Sequence, residues 1–347
     1  MRELSRQDLV DLLNGATVLG AGGGGEISEG LGLIDEALAA DKTFRLVTLD
    51  EAPEEALACT PYLLGAISDL PPEEEAAYAR LPRAQGSPLL AAYDRLVQHV
   101  GSSFFATTAC EMGGANTAVP FYVAAMRDCA VLDADPAGRA VPEITHSTYY
   151  LNDLPVGPIA CANEFGEGFV LEGVSDDARA EVLVRALAQV SRNDISAIDH
   201  ALPIKTLRPA LIPGTLETAR KLGQVQRETP GPDVAEALAT AGGGKVVFRG
   251  MVSEATWETR DGFTFGGLSL TAGTDTYTID FKNENMVGRL NGQVQATIPD
   301  LICLIHQKTG EVICNPHAAV GQSLAVLILP APAPFLTERG LATFGPT

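Results

Sequence analysis

Cys110-Glu111-Met112-Gly113-Gly114-Ala115-Asn116 is followed by an apolar stretch at 118–127. Then comes Val131-Leu132-Asp133-Ala134-Asp135-Pro136-Ala137-Gly138-Arg139-Ala140-Val141-Pro142-Glu143. With β-like runs at 104–110 and 130–132 on either side of the apolar stretch, the segment reads as strand, glycine turn, helix, strand. A βαβ unit of this kind crosses over right-handed, which makes its two strands near neighbours in one sheet. Glu111 and Asp133 are then expected at a shared rim just past the carboxyl ends of their strands, where open α/β sheets place ligands. Gly113 and Gly114 carry no Cβ, so backbone amides there can approach a ligand closely.

The pattern extends in both directions. Ser5 and Asp8 have capping-box spacing, and Leu9, Leu12, Leu13, Ala16 and Leu19 recur at helical intervals, which predicts a first helix ending at the glycine run Gly22-Gly23-Gly24-Gly25. A second helix is expected over 27–39. Short β-like runs at 44–49, 62–67, 104–110 and 130–132 alternate with helical stretches at 73–80, 89–100 and 118–127, a pattern that argues for a mostly parallel, covered sheet in an α/β domain. After a run at 169–171 and a helix over 176–191, the proline-bearing region from about 200 to 244 reads as linker and helical cover. From Lys245 onward the texture is β. Runs at 246–258, 263–271, 276–281, 293–297, 301–306 and 324–329 predict a smaller all-β barrel or sandwich domain over 245–340, after an α/β domain over 1–244.

Composition narrows the function. Apolar residues at 46% against 20% charged supply a large core and exclude wholesale disorder. The formal net charge of −20, with six lysines among 24 basic residues, argues against nucleic acid and anionic membranes as partners. The first ten residues lack a basic, apolar leader pattern, and no run approaches the roughly 20 apolar residues that span a bilayer, so a cytoplasmic protein is expected. Six dispersed cysteines without a CxxC pair read as reduced thiols, neither a disulfide framework nor a zinc ribbon.

Glu111, Asp133, Asp135 and Glu143, together with Arg139, gather the chemistry. They could bind a divalent metal such as zinc or manganese, or divide into a general acid and a general base. The competing reading is that loop acids cap helices or pair with the nearby Arg. His146 lies closest in sequence to this cluster and completes a candidate ligand set with Asp133, Asp135 and Glu143. Gly23 and Gly24 suggest either an amide nest facing the cleft or a tight helix–helix connection. No Lys-Ser/Thr follows them and no GxGxxG strand precedes them, which argues against ATP and NAD. Asn283, Glu284 and Asn285 form a polar cluster at a strand end, as ligand contacts or as turn residues. Cys110 is a possible nucleophile if a positive charge lowers its pKa, against the alternative of a buried strand-end thiol.

The glycine run after Val18-Leu19, the Glu111–Asn116 turn, Asp133-Ala134-Asp135 through Gly138-Arg139-Ala140 to Pro142-Glu143, Asn283-Glu284-Asn285 and Pro299-Asp300-Leu301-Ile302 occur in the order seen in the DUF917 family. The chain therefore resembles that S-methyl thiohydantoin desulfurase-like family, which is grouped with hydantoinase/oxoprolinase-related proteins. The resemblance implies an N-terminal α/β domain and a C-terminal β domain. It also implies a hydrolase that acts on a cyclic amide or thioamide, adding water to an electrophilic ring carbon at a site between the domains. Glu111, Asn116, Asp133, Asp135, Arg139 and Glu143 carry over to that site, with Asn283, Glu284 and Asn285 as wall residues. His146 and Cys110 lie outside the shared motifs. The rival readings are a non-catalytic partner subunit of a hydantoinase/oxoprolinase-like complex and a small-molecule binding protein. A homo-oligomer taking a small-molecule substrate is expected.

Overall fold

A computed structural model describes residues 1–65 and 70–346. In chain order its N-terminal strands are β1 (Arg2–Leu4), β2 (Phe44–Val47), β3 (Leu57–Gly65), β4 (Ala106–Thr107), β5 (Ala130–Leu132), β6 (Ala134–Asp135), β7 (Ile159–Ala162), β8 (Gly168–Leu171), β9 (Asp194–Pro203) and β10 (Ile212–Pro213). All but β6 and β10, which pair with each other, form one sheet in the order β1-β2-β5-β4-β3-β9-β7-β8. The four strands β2, β5, β4 and β3 are mutually parallel. Antiparallel strands flank them on both sides. The α/β class holds, and the expected βαβ unit is β4, the helix Ala118–Met126 and β5. That helix is buried around almost its whole circumference, as an apolar crossover covered by other elements must be. The expected run at 62–67 ends outside the described residues.

The first helix, Arg6–Leu19, begins at the predicted box: Ser5 Oγ accepts from the Asp8 amide at 3.1 Å, and the Ser5 amide donates to Asp8 Oδ2 at 3.0 Å. It crosses the helix Thr215–Glu228, which belongs to the region read as linker and cover. Glycines make the crossing close: a Cβ on Gly15 would lie 1.7 Å from the Ala219 carbonyl oxygen, and one on Gly223 1.7 Å from that of Asp11. Backbone cannot yield as a flexible side chain can, so Gly223→Ala is expected to cost about 2–3 kcal/mol of stability in denaturant unfolding.

The C-terminal strands are β11 (Lys245–Arg260), β12 (Phe263–Ala272), β13 (Asp275–Lys282), β14 (Glu284–Leu290), β15 (Gln293–Thr297), β16 (Leu301–His306) and β17 (Ser323–Leu329). They form an antiparallel half-barrel in the order β15-β14-β13-β12-β11-β17-β16. Alternation along β16 joins the two domains. Leu301, Cys303 and Ile305 enter the core shared with the first helix, whereas Ile302 and Leu304 enter the core of the half-barrel. A strand buried on both faces reads as a continuous apolar run, as Leu-Ile-Cys-Leu-Ile does here. Among the described residues, no helix is long and apolar enough to cross a membrane.

Candidate functional site

A cavity of about 680 Å³ lies between the two domains, with walls from the glycine run, β3, the Glu111 turn, the Glu143 loop and β9 on one side and from Thr264, Asn283, Glu284, Cys314 and Asn315 on the other. Its volume suits a small organic ligand.

Glu111 follows β4 and is 6% exposed. Asn116 holds it in place. The Asn116 amide nitrogen donates to Glu111 Oε1 at 2.8 Å and to the Leu63 carbonyl at 3.2 Å, while Asn116 Oδ1 accepts from the Leu63 amide at 2.9 Å. The Val141 amide donates to Glu111 Oε2 at 2.8 Å. Burial pushes the Glu111 carboxyl up to about 7, against the pull of these donors.

Glu284 approaches from the other domain. Asn283 turns the chain between β13 and β14 at φ 55°, so Glu284 opens a strand instead of extending β13. Its carboxyl is buried, Oε2 has no hydrogen-bond partner, and burial followed by the Glu111 charge holds it well above the usual carboxylate range. The site therefore brings together two buried carboxyls that both hold their protons more tightly than an exposed glutamate does.

The glycines make this approach possible. A Cβ on Gly23 would lie 1.9 Å from Glu284 Oε1, and one on Gly24 would lie 2.4 Å from the Gly113 Cα. Gly24 O accepts from the Ala115 and Asn116 amides, both at 3.1 Å. Gly23 and Gly24 line the cavity, while Gly113 and Gly114 do not and instead pack against the backbone of the glycine run and Ile27. The run thus packs closely against the Glu111 turn while Gly23 and Gly24 form part of the cavity wall.

Glu111, Asn116, Glu143, Asn283 and Glu284 share the cavity. Asp133, Asp135, Arg139, Asn285 and His146 do not line it, and the shared rim expected for Glu111 and Asp133 is absent. Asp133 points instead to the start of the helix Thr215–Glu228, accepting from the Glu217 amide at 3.1 Å. Helix N-termini favour a carboxylate. Asp135 Oδ2 accepts from the Ala137 and Gly138 amides at 2.9 and 2.7 Å, tying down its own loop. The fully buried Arg139 donates to the carbonyls of Ala140, Pro299 and Asp300 and lies 5.0 Å from the Phe344 ring centroid, clamping the domains together. Asn285 donates to the Ile302 carbonyl at 2.8 Å.

Glu143 pairs with Lys282 across the domain boundary. Burial is the largest influence and opposes its charge, but the Lys282 bond and the surrounding positive charges together outweigh it, and the carboxyl stays below its ordinary value. His146 packs on Phe344, and burial lowers its pKa to about 4, leaving the ring neutral. The four candidate ligands Asp133, Asp135, Glu143 and His146 are thus engaged separately. Among the described residues, no group of three His, Cys, Asp or Glu side chains is placed to hold a metal ion. Cys110 lines the cavity, but burial and the charges of Glu111, Asp199 and Asp135 push its thiol well above the usual range, which disfavours a thiolate.

Thr60, Tyr62, Tyr149, Asp199 and His200 line the cavity too, and the sequence reading passed over them. The signal available for His200 was its adjacency to Asp199 in the chain. Asp133→Ala is expected to lower stability by about 1 kcal/mol, the usual worth of a helix-capping contact, with the cavity intact. Thermal unfolding beside a turnover assay checks this.

Family models match the chain along almost its whole length: the S-Me-THD-like N-terminal domain over residues 7–173 and the S-Me-THD-like C-terminal domain over 175–347. No curated protein matches it. The X-ray crystal structure of a protein from Chromobacterium violaceum, a structural-genomics target, is similar at 26% identity with a TM-score of 0.76, and the match covers 99% of this chain and 96% of that one. With both domain models matched in order, the chain belongs to the S-Me-THD-like, or S-methyl thiohydantoin desulfurase-like, family.

Proposed function

We propose that the protein is a hydrolase of cyclic amides or thioamides of the hydantoin and thiohydantoin type, working in the interdomain cavity. The observation that carries this reading is the pair of buried carboxyl groups, Glu111 and Glu284, contributed by different domains and unequal in their hold on a proton. Such a pair divides into base and acid.

Glu111, as carboxylate, takes a proton from a water molecule while the water oxygen bonds to the electrophilic ring carbon. The electron pair of the ring C=N or C=O bond moves onto its heteroatom, then returns as the bond to the departing sulfur or nitrogen breaks. Glu284 gives its proton to the leaving atom, so one carboxyl gains a proton as the other loses one. No step requires a metal. Asn116 positions the base, and Gly23 leaves room for the acid.

Incubation of the purified protein with hydantoins, thiohydantoins, S-alkyl thiohydantoins and 5-oxoproline, each with and without added divalent ions, tests the reaction class. Release of thiol or ring opening by the wild type, lost in Glu111→Gln, is the expected result. Complete inertness across the panel in both conditions would overturn the assignment.

A further inference from the structure

We propose that His200 Nε2 and the Tyr62 hydroxyl form an acceptor–donor couple that reads the N–H and C=O edge of a cyclic amide in the cavity. This deepens the hydrolase reading and rests on it for the ligand class.

Consecutive residues of a strand point to opposite faces. Asp199 and His200 escape this rule because β9 carries a bulge: Ala58 pairs with Leu202 and Thr60 with Asp199, so Cys59 alone stands opposite His200 and Ala201. His200 takes φ 44° there, a conformation uncommon for a non-glycine residue and concentrated at functional sites. Bulges next to active sites re-aim side chains, and this one turns both onto the cavity side.

There the Asp199 carboxylate meets His200 Nδ1 at 2.6 Å. A carboxylate only accepts, so Nδ1 carries a hydrogen, and in the uncharged form of the ring Nε2 is left with a lone pair. Tyr149 stacks on the imidazole at 4.0 Å between centroids and is itself held by Thr60 at 3.1 Å. The ring is therefore fixed in both tautomer and orientation.

His200 is 3% exposed and its Nε2 has no partner. Tyr62, two residues past Thr60 on the same face of β3, is 6% exposed, and its hydroxyl makes no well-formed hydrogen bond, though it interacts with the nearby Asp199 carboxylate. Both residues line the cavity. Buried polar groups without well-formed partners are scarce and costly, and an acceptor and a donor lining one cavity can complement an –NH–C(=O)– edge. Glu111 and Glu284 transfer protons in the proposed reaction; His200 and Tyr62 select the ring, with Asp199 as the positioning residue.

Nitrogen-15 NMR of histidine-labelled full-length protein reads the tautomer, and calorimetric titration with hydantoin and with 1,3-dimethylhydantoin, which has no ring N–H, reads the selection. Wild-type protein is expected to show an unprotonated His200 Nε2 and to bind hydantoin about tenfold to hundredfold more tightly than the dimethyl compound. In His200→Phe the preference should vanish while the dimethyl compound binds as before. In Asp199→Asn a side-chain amide can donate to Nδ1, which moves the ring hydrogen to Nε2 and should remove the preference without unfolding the protein. A protonated Nε2 in the wild type, a preference that survives His200→Phe, or no binding of hydantoin would each overturn the proposal. Hydrolysis is judged separately: Glu111→Gln should abolish turnover and keep the N–H preference, so selection can fail while catalysis stands, and the reverse.

Discussion

Glu111→Gln is expected to lower kcat/KM about 10²- to 10⁴-fold, the range removed with a general base, while the protein stays folded. The amide keeps the size of the side chain and one acceptor for Asn116 or Val141, but it cannot take a proton from water. Wild-type kcat/KM should rise with pH as Glu111 ionises, with a midpoint near its perturbed value of about 7, because only the carboxylate is a base. The variant should lose that rising limb along with the rate. Glu284→Gln should bring a comparable loss while retaining the limb, since it removes the proton donor and leaves the base in place. A Glu111→Gln enzyme with wild-type turnover and an unchanged pH profile would falsify the assignment of base. Glu111→Asp is a useful control, because it keeps the charge and withdraws it by about one methylene from the cavity.

How far the sequence revealed this site depends on the range of the interactions involved. Local ones were legible. The box at Ser5 and Asp8, the helix Ile27–Ala39 and strands β5, β15 and β16 follow from periodicity and capping chemistry within a few residues. The expectation that the Glu111 turn closes a βαβ unit was also sound, because crossover handedness is nearly invariant. Legibility ended where tertiary contacts decide. Asp133 stands one residue past β5, as expected, but the start of a helix some eighty residues later in the chain captures its carboxylate. Asn283, Glu284 and Asn285 read as one polar cluster at a strand end. The αL turn at Asn283 begins a new strand there, so Asn283 and Glu284 line the cavity while Asn285 bonds to the Ile302 carbonyl. Asp199 and His200 were hidden for a related reason: alternation predicts opposed side chains, and only the bulge against β3 puts them side by side. The antiparallel strands β7, β8 and β9 extend a parallel core through long-range pairing that composition does not encode.

Folding stability is expected to decline as pH rises from about 5 to 8, and the two cavity carboxyls should account for much of the decline. The folded protein holds the Glu111 proton up to about pH 7, whereas an exposed glutamate releases it near 4.5. Between those values the native state binds more protons than the unfolded chain, so this contribution is complete below about pH 4.5 and is lost as pH climbs through 7. A displacement of that size corresponds to about 3 kcal/mol. Glu284, raised by burial and by the Glu111 charge, acts with the same sign. His146 acts oppositely: burial lowers it from 6.5 to about 4, so its contribution is present above 6.5 and is lost as pH falls through 4. Comparing proteins cancels that common term. Denaturant unfolding at pH 5.5, 7 and 8.5 should show the wild type losing stability across the series, and the Glu111→Gln/Glu284→Gln double variant losing at least about 2 kcal/mol less. Equal slopes in the two proteins would mean that the carboxyls ionise as freely in the fold as outside it. The unequal proton affinity on which the acid–base division depends would then be gone, even if each single variant were inactive. The expected outcome couples function to stability in one direction: removing the buried charges should make the protein more robust at alkaline pH in the same variants that remove its catalysis.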